Sequence, residues 1–252
     1  MYINDINILY YILVGLIGLV IGQFVDWCNI RLPEYKKVFS KDFFTIYMKN
    51  FKPKYWLMFG MAIIYMAILY FIGWQTNILA QIKLIKYLVL APMLMSALII
   101  DWKLQIIPNR LNLTIFEVGL GFTFLQGICN VNVGIDMLLG SLVGAGIFLI
   151  ITLIGGIIAG KEAMGFGDVK FMGAIGLFFG WINIIMISLI AFLLAAIISI
   201  ILLATKKKNT NEYIPFGPFI VLASFIVMII PFDILLFILL KVFTLGMYRG
   251  KI

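Results

Sequence analysis

The sequence predicts an all-α protein, a polytopic membrane helix bundle of about eight transmembrane helices, and three observations support that prediction. Hydrophobic residues make up 64% of the 252 residues and charged residues only 12%, whereas a soluble domain is about half apolar and a quarter charged. The mean hydropathy of +1.14 is typical of an integral membrane protein. The apolar residues also fall in runs of about 20, the length at which a helix crosses a bilayer.

Eight apolar segments follow one another along the chain. The stretch from Phe171 to Ala204 is too long for one ordinary span, and Gly180-Trp181-Ile182-Asn183 within it predicts a turn that divides it. Residues 1–7 carry Asp5 and neither Lys nor Arg, so we expect the first segment to be a retained span and not a cleaved signal peptide. The predicted spans are 8–30, 55–73, 81–100, 112–130, 135–159, 164–180, 182–204 and 214–240.

The Lys and Arg residues of the loops predict the orientation, because loops rich in these residues stay in the cytoplasm. The basic loops are 31–54, 101–110, 160–170 and 206–208. All four lie on the cytoplasmic side if residues 164–204 cross the membrane twice, which gives eight spans with both termini outside. That arrangement places the basic residues near the C-terminus outside, against the rule. The alternative is seven spans, with residues 164–204 partly re-entrant.

The composition excludes several kinds of chemistry. Histidine is absent, which rules out Ser-His catalysis, histidine metal sites and histidine proton transfer. Cys28 and Cys129 are the two cysteines, so neither a disulfide framework nor a four-cysteine zinc site is expected. Topology and anionic lipid explain the net charge of +8 better than nucleic acid does. The aromatic-rich basic loop 31–54 either lies on the membrane surface or is solvated, and both interpretations stay open.

Eleven carboxylates remain as candidates for acid–base chemistry. A carboxylate at membrane depth costs about 2.5–3.5 kcal/mol, so it normally faces a polar interior and is a candidate for function. The four acids at such positions are Asp26, Asp101, Glu117 and Asp168.

Two of these acids occur in distinctive surroundings. Asp101 ends an apolar run, and Pro108-Asn109 beyond it predicts that the helix cannot continue smoothly. Asp168 follows Gly165 and Gly167, and two glycines permit close approach of the backbone. Simpler interpretations exist for each acid. Asp101 would be a helix-end carboxylate paired with a nearby basic residue, Lys103 or Arg110, and the glycines would mark a plain contact between helices.

Considered together, Asp101 and Asp168 indicate a candidate catalytic pair. Both fall on the predicted cytoplasmic side at similar depth, from different spans. Two adjacent carboxylates cannot both ionise cheaply. One can therefore act as a base on water while the other acts as an acid towards a scissile peptide bond. This chemistry requires no histidine, metal or nucleophilic serine, but periodicity alone does not show that the two helices touch.

At this point the residues resemble type IV prepilin peptidases, the GxGD-type membrane aspartyl proteases also described as prepilin leader peptidases and N-methyltransferases. Four stretches carry the resemblance, in the order expected for the family. They are Gly22-Gln23-Phe24 through Arg31-Leu32-Pro33, Ile100-Asp101 through Ile107-Pro108-Asn109, Ala163-Met164-Gly165-Phe166-Gly167-Asp168-Val169-Lys170 with Gly176 and Gly180-Trp181 after it, and Ile214-Pro215-Phe216-Gly217-Pro218-Phe219.

The resemblance implies that Asp101 and Asp168 are the catalytic pair. Gly165 and Gly167 would let the backbone approach the substrate or a partner helix, and Lys170 would hold the loop at the interface. Further residues of the matched motifs are expected near the substrate. They are Pro108, Asn109, Pro215, Gly217 and Pro218. The implied substrates are prepilin or pseudopilin precursors with a short basic leader, a glycine before the cut and an apolar helix after it.

Two departures from the family pattern matter. The loop 31–54 lacks the two Cys-x-x-Cys pairs that bind zinc in many members, so no zinc and no other metal is expected. Asp26 stands where the family usually has Asn. Proteolysis needs no cofactor, whereas methylation of the new N-terminus would use S-adenosylmethionine, and the sequence leaves methylation open. Glu117 matches no motif, and a hydrogen bond inside the bundle is the preferred interpretation.

The sequence therefore predicts a multi-pass protein of the bacterial inner (plasma) membrane, with its active site facing the cytoplasm. The hypothesis is an endopeptidase that processes precursors for pilus assembly, secretion or DNA uptake. Residues 1–80 form an N-terminal membrane region that includes the loop 31–54 and is a candidate methyltransferase-associated region, and residues 81–252 form the GxGD peptidase core. Membrane lipid is an expected partner, nucleic acid is not, and the oligomeric state stays open. The alternatives are an ion- or proton-coupled transporter and a noncatalytic scaffold.

Overall fold

The computed structural model describes residues 2–4, 6–49, 52–159, 164–205 and 214–244. Within these ranges the chain forms nine α-helices, and the prediction of a polytopic helical membrane bundle is confirmed. A two-residue antiparallel pair, β1 (Tyr2–Ile3) and β2 (Ile6–Asn7), precedes them. The helices are α1 (Ile8–Arg31), α2 (Tyr55–Ile72), α3 (Ile78–Leu104), α4 (Asn109–Cys129), α5 (Val131–Ala159), α6 (Phe166–Phe179), α7 (Trp181–Ala204), α8 (Gly217–Ile229) and α9 (Phe232–Phe243).

Six of the described helices are long and apolar enough to cross a membrane, namely α1 to α5 and α7. The other three have 14, 13 and 12 residues. At about 1.5 Å per residue they are shorter than the hydrocarbon core of about 30 Å. The predicted total of eight spans therefore stays a prediction, as does its seven-span alternative. The basic run 206–208 lies outside the described residues.

The predicted division of residues 171–204 is confirmed, although the turn is formed by Gly180 alone and not by the predicted residues 180–183. Helix α6 ends at Phe179 and α7 begins at Trp181, with Gly180 between them at φ +78°. This left-handed backbone angle is easy only for glycine, which explains why the chain turns here. The Oδ1 atom of Asp136 accepts a 3.4 Å hydrogen bond from the Trp181 backbone N–H at the start of α7.

The last predicted span, 214–240, is wrong as one continuous helix. The structure divides it into α8 and α9 at Ile230-Pro231. Proline disfavours the helical conformation of the residue before it, and Ile230 is accordingly extended, at φ −96° and ψ 128°. The hydropathy pattern runs through this break because the residues on both sides are equally apolar.

The first basic loop folds back onto the end of α1. Arg31 donates hydrogen bonds of 2.7 Å to the Ser40 hydroxyl and 2.6 Å to the Asp42 carboxylate. The Arg31 hydrogen bond holds the pKa of Asp42 below its ordinary value. The Trp27 indole N–H of α1 donates to the Val38 carbonyl at 2.9 Å, and the ring packs against Phe43 of the π-helix Phe43–Tyr47. Both interpretations of this loop, solvated or lying on the membrane, stay open.

Helix α6 lies at the centre of the bundle, although it is shorter than a span. Its residues from Phe171 to Phe179 are all buried, and the helix contacts α4, α5 and α7. An apolar helix without a free face belongs in the core of a bundle. This central helix carries Asp168 in its first turn.

Candidate active site

Asp101 lies in the last turn of α3, which ends at Leu104. Its side chain is buried, with 3% of its surface exposed. The Oδ2 atom accepts a 2.9 Å hydrogen bond from the backbone N–H of Gly217, the first residue of α8. The positive end of the α8 dipole therefore faces this carboxylate, which offsets part of the cost of burying it.

The approach of α8 to Asp101 requires glycine at position 217. A Cβ atom added there would lie 2.6 Å from Oδ2 of Asp101 and 3.0 Å from its Cγ. Pro218, at the start of α8, has no N–H and leaves no unpaired donor in this first turn. Pro215, Gly217 and Pro218 are all buried. The motif of residues 214–219 thus shapes the wall of a buried carboxylate site.

Asp168 lies in the first turn of α6 and is also buried, with 4% of its surface exposed. Its backbone N–H donates to the Gly165 carbonyl at 3.0 Å. Asp101 is within electrostatic interaction range of Asp168. The structure therefore brings together two acids that lie 67 positions apart in the sequence, one in the last turn of α3 and the other in the first turn of α6.

The two motif glycines, Gly165 and Gly167, have ordinary space around them. A Cβ atom at Gly165 would approach Oδ2 of Asp168 to 3.7 Å, and one at Gly167 would meet Ile107 at 3.7 Å. These are normal van der Waals contacts, so packing in this conformation does not demand glycine at either position. Their predicted role, to admit the backbone of a substrate or partner helix, stays a prediction.

Helix α4 holds the first turn of α6 through two asparagines. The Asn112 side-chain amide donates to the Gly167 carbonyl at 3.1 Å, next to Asp168. Asn109 accepts a 3.1 Å hydrogen bond from the Lys170 ammonium. Pro108 is buried at the start of α4, and its carbonyl accepts from the Leu111 N–H at 2.9 Å. These contacts link the loop after Asp101 to the helix that bears Asp168.

Asn112 is a residue of the site that was not predicted from the sequence. It is 4% exposed, and its Oδ1 atom has no hydrogen-bond partner among the described residues. A buried amide with one unpaired acceptor costs free energy, which distinguishes it from an ordinary core residue. A signal was present in the sequence, because Asn112 interrupts an apolar run at the helical spacing of three residues from Asn109.

The simpler interpretation of Asp101 finds no support in the contacts. The ion pairs of the described residues are Arg31–Asp42 and Lys36–Glu34, and neither Lys103 nor Arg110 pairs with Asp101. The other two acids at membrane depth, Asp26 and Glu117, do not belong to the carboxylate pair. Asp26 accepts a 3.0 Å hydrogen bond from the Tyr47 hydroxyl of the first loop.

The bundle-interior interpretation of Glu117 is wrong, because its side chain is exposed. The buried face of α4 is formed by Leu111, Ile115, Gly119 and Thr123. Position 117 lies about 200° around the helix from position 115, on the opposite face. A single acid in an apolar run does not reveal which face of its helix is buried.

Neither acid of the pair is among the residues that line the cavities of about 630, 490 and 160 Å³. The cavity of about 490 Å³ lies beside the site, since Asn109, Asn112, Val169 and Lys170 line it. Among the described residues, no group of three or more Cys, Asp or Glu side chains is arranged to hold a metal ion.

Comparison with known proteins is consistent with this site. Residues 88–200, which include both acids, match the model of the type IV leader peptidase family. The chain is 27% identical over 157 residues to a prepilin leader peptidase/N-methyltransferase of Aeromonas hydrophila, and 34% identical over 149 residues to one of Legionella pneumophila. These alignments cover 62% and 58% of this chain and 50% of each relative.

A shorter relative is covered more completely. The leader peptidase HopD of Escherichia coli is 32% identical over 136 residues, which are 53% of this chain and 86% of HopD. The chain thus spans about half the length of the longer relatives it matches and most of the shorter one. No solved structure matches the chain.

Proposed function

Because the chain belongs to the type IV leader peptidase family, we propose that it is a membrane aspartyl endopeptidase that removes the short basic leader from prepilin-like precursors. The observation that carries the proposal is the pair Asp101 and Asp168. Both are buried and they interact electrostatically. Asp168 lies in the first turn of α6, and Asp101, in the last turn of α3, accepts a hydrogen bond from the first residue of α8. Buried, closely placed carboxylates are a costly arrangement that is expected at functional sites.

The chemistry follows from two carboxyl groups that share one proton. The ionised carboxylate accepts a proton from a water molecule as the water oxygen attacks the scissile carbonyl carbon. The protonated partner donates its proton to the leaving nitrogen as the C–N bond breaks. The products are a leader with a free carboxylate and a mature protein with a new amino terminus. Both residues are suited to either role, so the assignment of acid and base stays open.

The remaining residues of the site have supporting roles in this proposal. Gly217 supplies an N–H group to Asp101, and Pro215 and Pro218 keep the start of α8 in place. Asn112 positions the Gly167–Asp168 peptide, and the Asn109–Lys170 contact holds the same turn from its exposed side. Gly165 and Gly167 leave room for a substrate backbone beside Asp168.

Cleavage of a purified precursor by three variants tests the proposal. Asp101→Asn and Asp168→Asn keep the size of each side chain and remove the proton exchange, so each is expected to reduce the cleavage rate at least 1,000-fold, on the scale of losing a catalytic acid or base. Asp233→Asn is the matched control, because Asp233 is an exposed acid at the start of α9. Wild-type cleavage by either site variant would refute the assignment.

The cytoplasmic orientation of the site in the bacterial inner membrane is part of the same proposal. It is supported by the basic residues Lys103, Arg110 and Lys170 near the two acids. A single cysteine at Lys207, in a chain with Cys28→Ala and Cys129→Ser, is expected to resist a membrane-impermeant thiol reagent added to intact cells. Labelling from outside would contradict the eight-span topology.

Methylation of the new amino terminus with S-adenosylmethionine is a second activity to be tested. The longer relatives are named for both activities, whereas the name of HopD refers to leader peptidase alone. We assign residues 1–80 as the candidate region for it and residues 81–252 as the peptidase core. Mass spectrometry of the processed product distinguishes the outcomes, because one methyl group adds a fixed mass to the mature amino terminus.

A further inference from the structure

A cavity of about 630 Å³ lies between α1, α3, α4 and the first basic loop. Most of its wall is apolar, and it extends along the bundle. Its outer part is lined by Val14, Ile85 and Val89, and its inner part by Met93 and Leu113. The lining of α3 from Ile85 to Ser96 covers 11 residue steps, or about 16 Å along the helix axis. This is close to the depth of one bilayer leaflet, about 15 Å.

The cavity wall contains a proline inside α3, and the backbone hydrogen bond that this proline cannot form is replaced by another. Pro92 lies inside α3 and cannot donate a hydrogen bond to the Leu88 carbonyl one turn earlier. The Tyr65 hydroxyl of α2 donates to that carbonyl at 2.8 Å instead. Tyr65, Leu88 and Pro92 all line the cavity. The carbonyl that the proline would otherwise leave unpaired is therefore satisfied, and this part of the wall does not call for a polar occupant.

Cationic groups lie at the inner mouth of the cavity. Arg110 and Lys36 are both lining residues, and both are exposed. Lys36 pairs with Glu34 at 2.6 Å, but Arg110 forms no ion pair in the part of the chain that the structure describes. The Arg110 guanidinium lies 5.9 Å from the ring centre of Tyr35. Tyr35 has a left-handed backbone angle, φ +56°, which is uncommon for an aromatic residue.

The length of the cavity argues against a transmembrane peptide helix as its occupant. A helix of about 20 residues is about 30 Å long, whereas the lining of α3 extends over about 16 Å. An extended peptide would bring unpaired N–H and C=O groups to an apolar wall. A single hydrocarbon chain suits both the length and the chemistry, since it spans one leaflet and has no hydrogen-bonding groups.

We propose that this cavity binds an anionic phospholipid, with one acyl chain between α1, α3 and α4 and the phosphate on Arg110 and Lys36. Arginine matches the geometry of phosphate with two parallel N–H donors. Basic pockets between transmembrane helices are suited to anionic headgroups. The proposal concerns binding and is independent of the proteolytic activity.

Native mass spectrometry of the full-length protein in detergent provides the test. Phosphatidylglycerol and phosphatidylcholine with identical acyl chains are titrated, and the Kd of the first bound lipid is measured. Phosphatidylglycerol is expected to bind about tenfold more tightly. Arg110→Ala should remove this preference, since a charge-assisted hydrogen bond is worth about tenfold or more. Lys49→Ala removes a cation of the first basic loop, and Lys49 does not line the cavity, so this control variant should retain the preference.

A second set of variants tests the acyl-chain site. Val89→Trp fills the cavity and should weaken binding of both lipids, whereas Leu139→Trp, on an exposed face of α5, should leave both Kd values unchanged. If Val89→Trp fails to fold, Ile85→Trp decides, because Ile85 lines the cavity but is 48% exposed. Inorganic phosphate at matched concentration should not displace phosphatidylglycerol.

Four outcomes would overturn the proposal. Equal Kd values for the two lipids, or no effect of Arg110→Ala, would show that the mouth does not bind the headgroup. Unchanged lipid binding in a folded, cavity-filled variant would show that no acyl chain enters. Displacement by free phosphate would reduce the site to an anion site without a lipid tail.

Discussion

Replacing Gly217 with alanine tests the geometry of the acid pair at its tightest point. The added Cβ would lie 2.6 Å from Oδ2 of Asp101, whereas ordinary contact begins at 3.4 Å. The carboxylate or the start of α8 must therefore move by about 0.8 Å. A displacement of this size is large for a catalytic group, since about 1 Å can cost about 100-fold in rate. We expect kcat to fall about 100-fold and stability to fall by about 1–3 kcal/mol, the range for overpacking a core.

The assay is single-turnover cleavage of a precursor by folded, detergent-purified enzyme, with thermal unfolding measured on the same samples. Gly121→Ala is the matched control, because a Cβ at Gly121 meets nothing within 4 Å. In a helix interior this control should keep the wild-type rate and gain about 0.5–1 kcal/mol. Wild-type cleavage by Gly217→Ala would refute the close contact between α8 and Asp101 as a feature of the working enzyme.

Three further predictions concern other parts of the molecule. Asn112→Leu removes the hydrogen bond to Gly167 and should lower kcat about tenfold with little change in KM. Asn112→Asp keeps an oxygen but loses the N–H donor, so its kcat should be no higher than that of Asn112→Leu. An unchanged kcat in Asn112→Leu would contradict the positioning role. Gln126→Leu should destabilise the fold by about 3 kcal/mol, because it removes the amide oxygen that accepts a 2.9 Å hydrogen bond from the buried Lys86 side chain. Adding Lys86→Met should restore stability in thermal unfolding, and no recovery in the double variant would contradict this. Arg31→Gln should raise the pKa of Asp42 towards its ordinary value of 3.8, as measured by NMR titration. Because Arg31 lowers the pKa of Asp42 in the folded protein, the stabilisation from this pair is present at neutral pH and is lost as the pH falls below 3.8 through the folded pKa. An unchanged pKa in Arg31→Gln would refute the link.

Features of the fold that depend on local backbone chemistry were predictable from the sequence. Gly180 between two apolar runs predicted a turn, and the structure has one there. Pro108 predicted the end of the helix that carries Asp101, and α3 ends four residues earlier. Pro231 carried the same kind of information, but the equal hydropathy on both sides concealed the break between α8 and α9.

The residues of the site show more clearly what could be predicted from the sequence and what could not. Asp101 and Asp168 stood out because carboxylates are scarce in this chain and costly at membrane depth. Asn112 did not stand out, since a neutral amide gives no comparable signal. Glu117 was placed in the bundle interior because it is an acid in an apolar run, yet it faces outwards. In a membrane protein both faces of a helix are apolar, so periodicity does not identify the buried face.

The sequence by itself determined the membrane class, the family resemblance and the two candidate acids. These depend on composition and on the identity and spacing of residues along the chain. Only the tertiary structure decided that α8 donates to Asp101, that Asn112 holds the turn before Asp168, and that α6 is enclosed by its neighbours. Gly217 and Asp101 are 116 positions apart. Their contact results from the packing of helices against one another. The hydropathy of the individual spans does not specify which helices pack together or which faces meet.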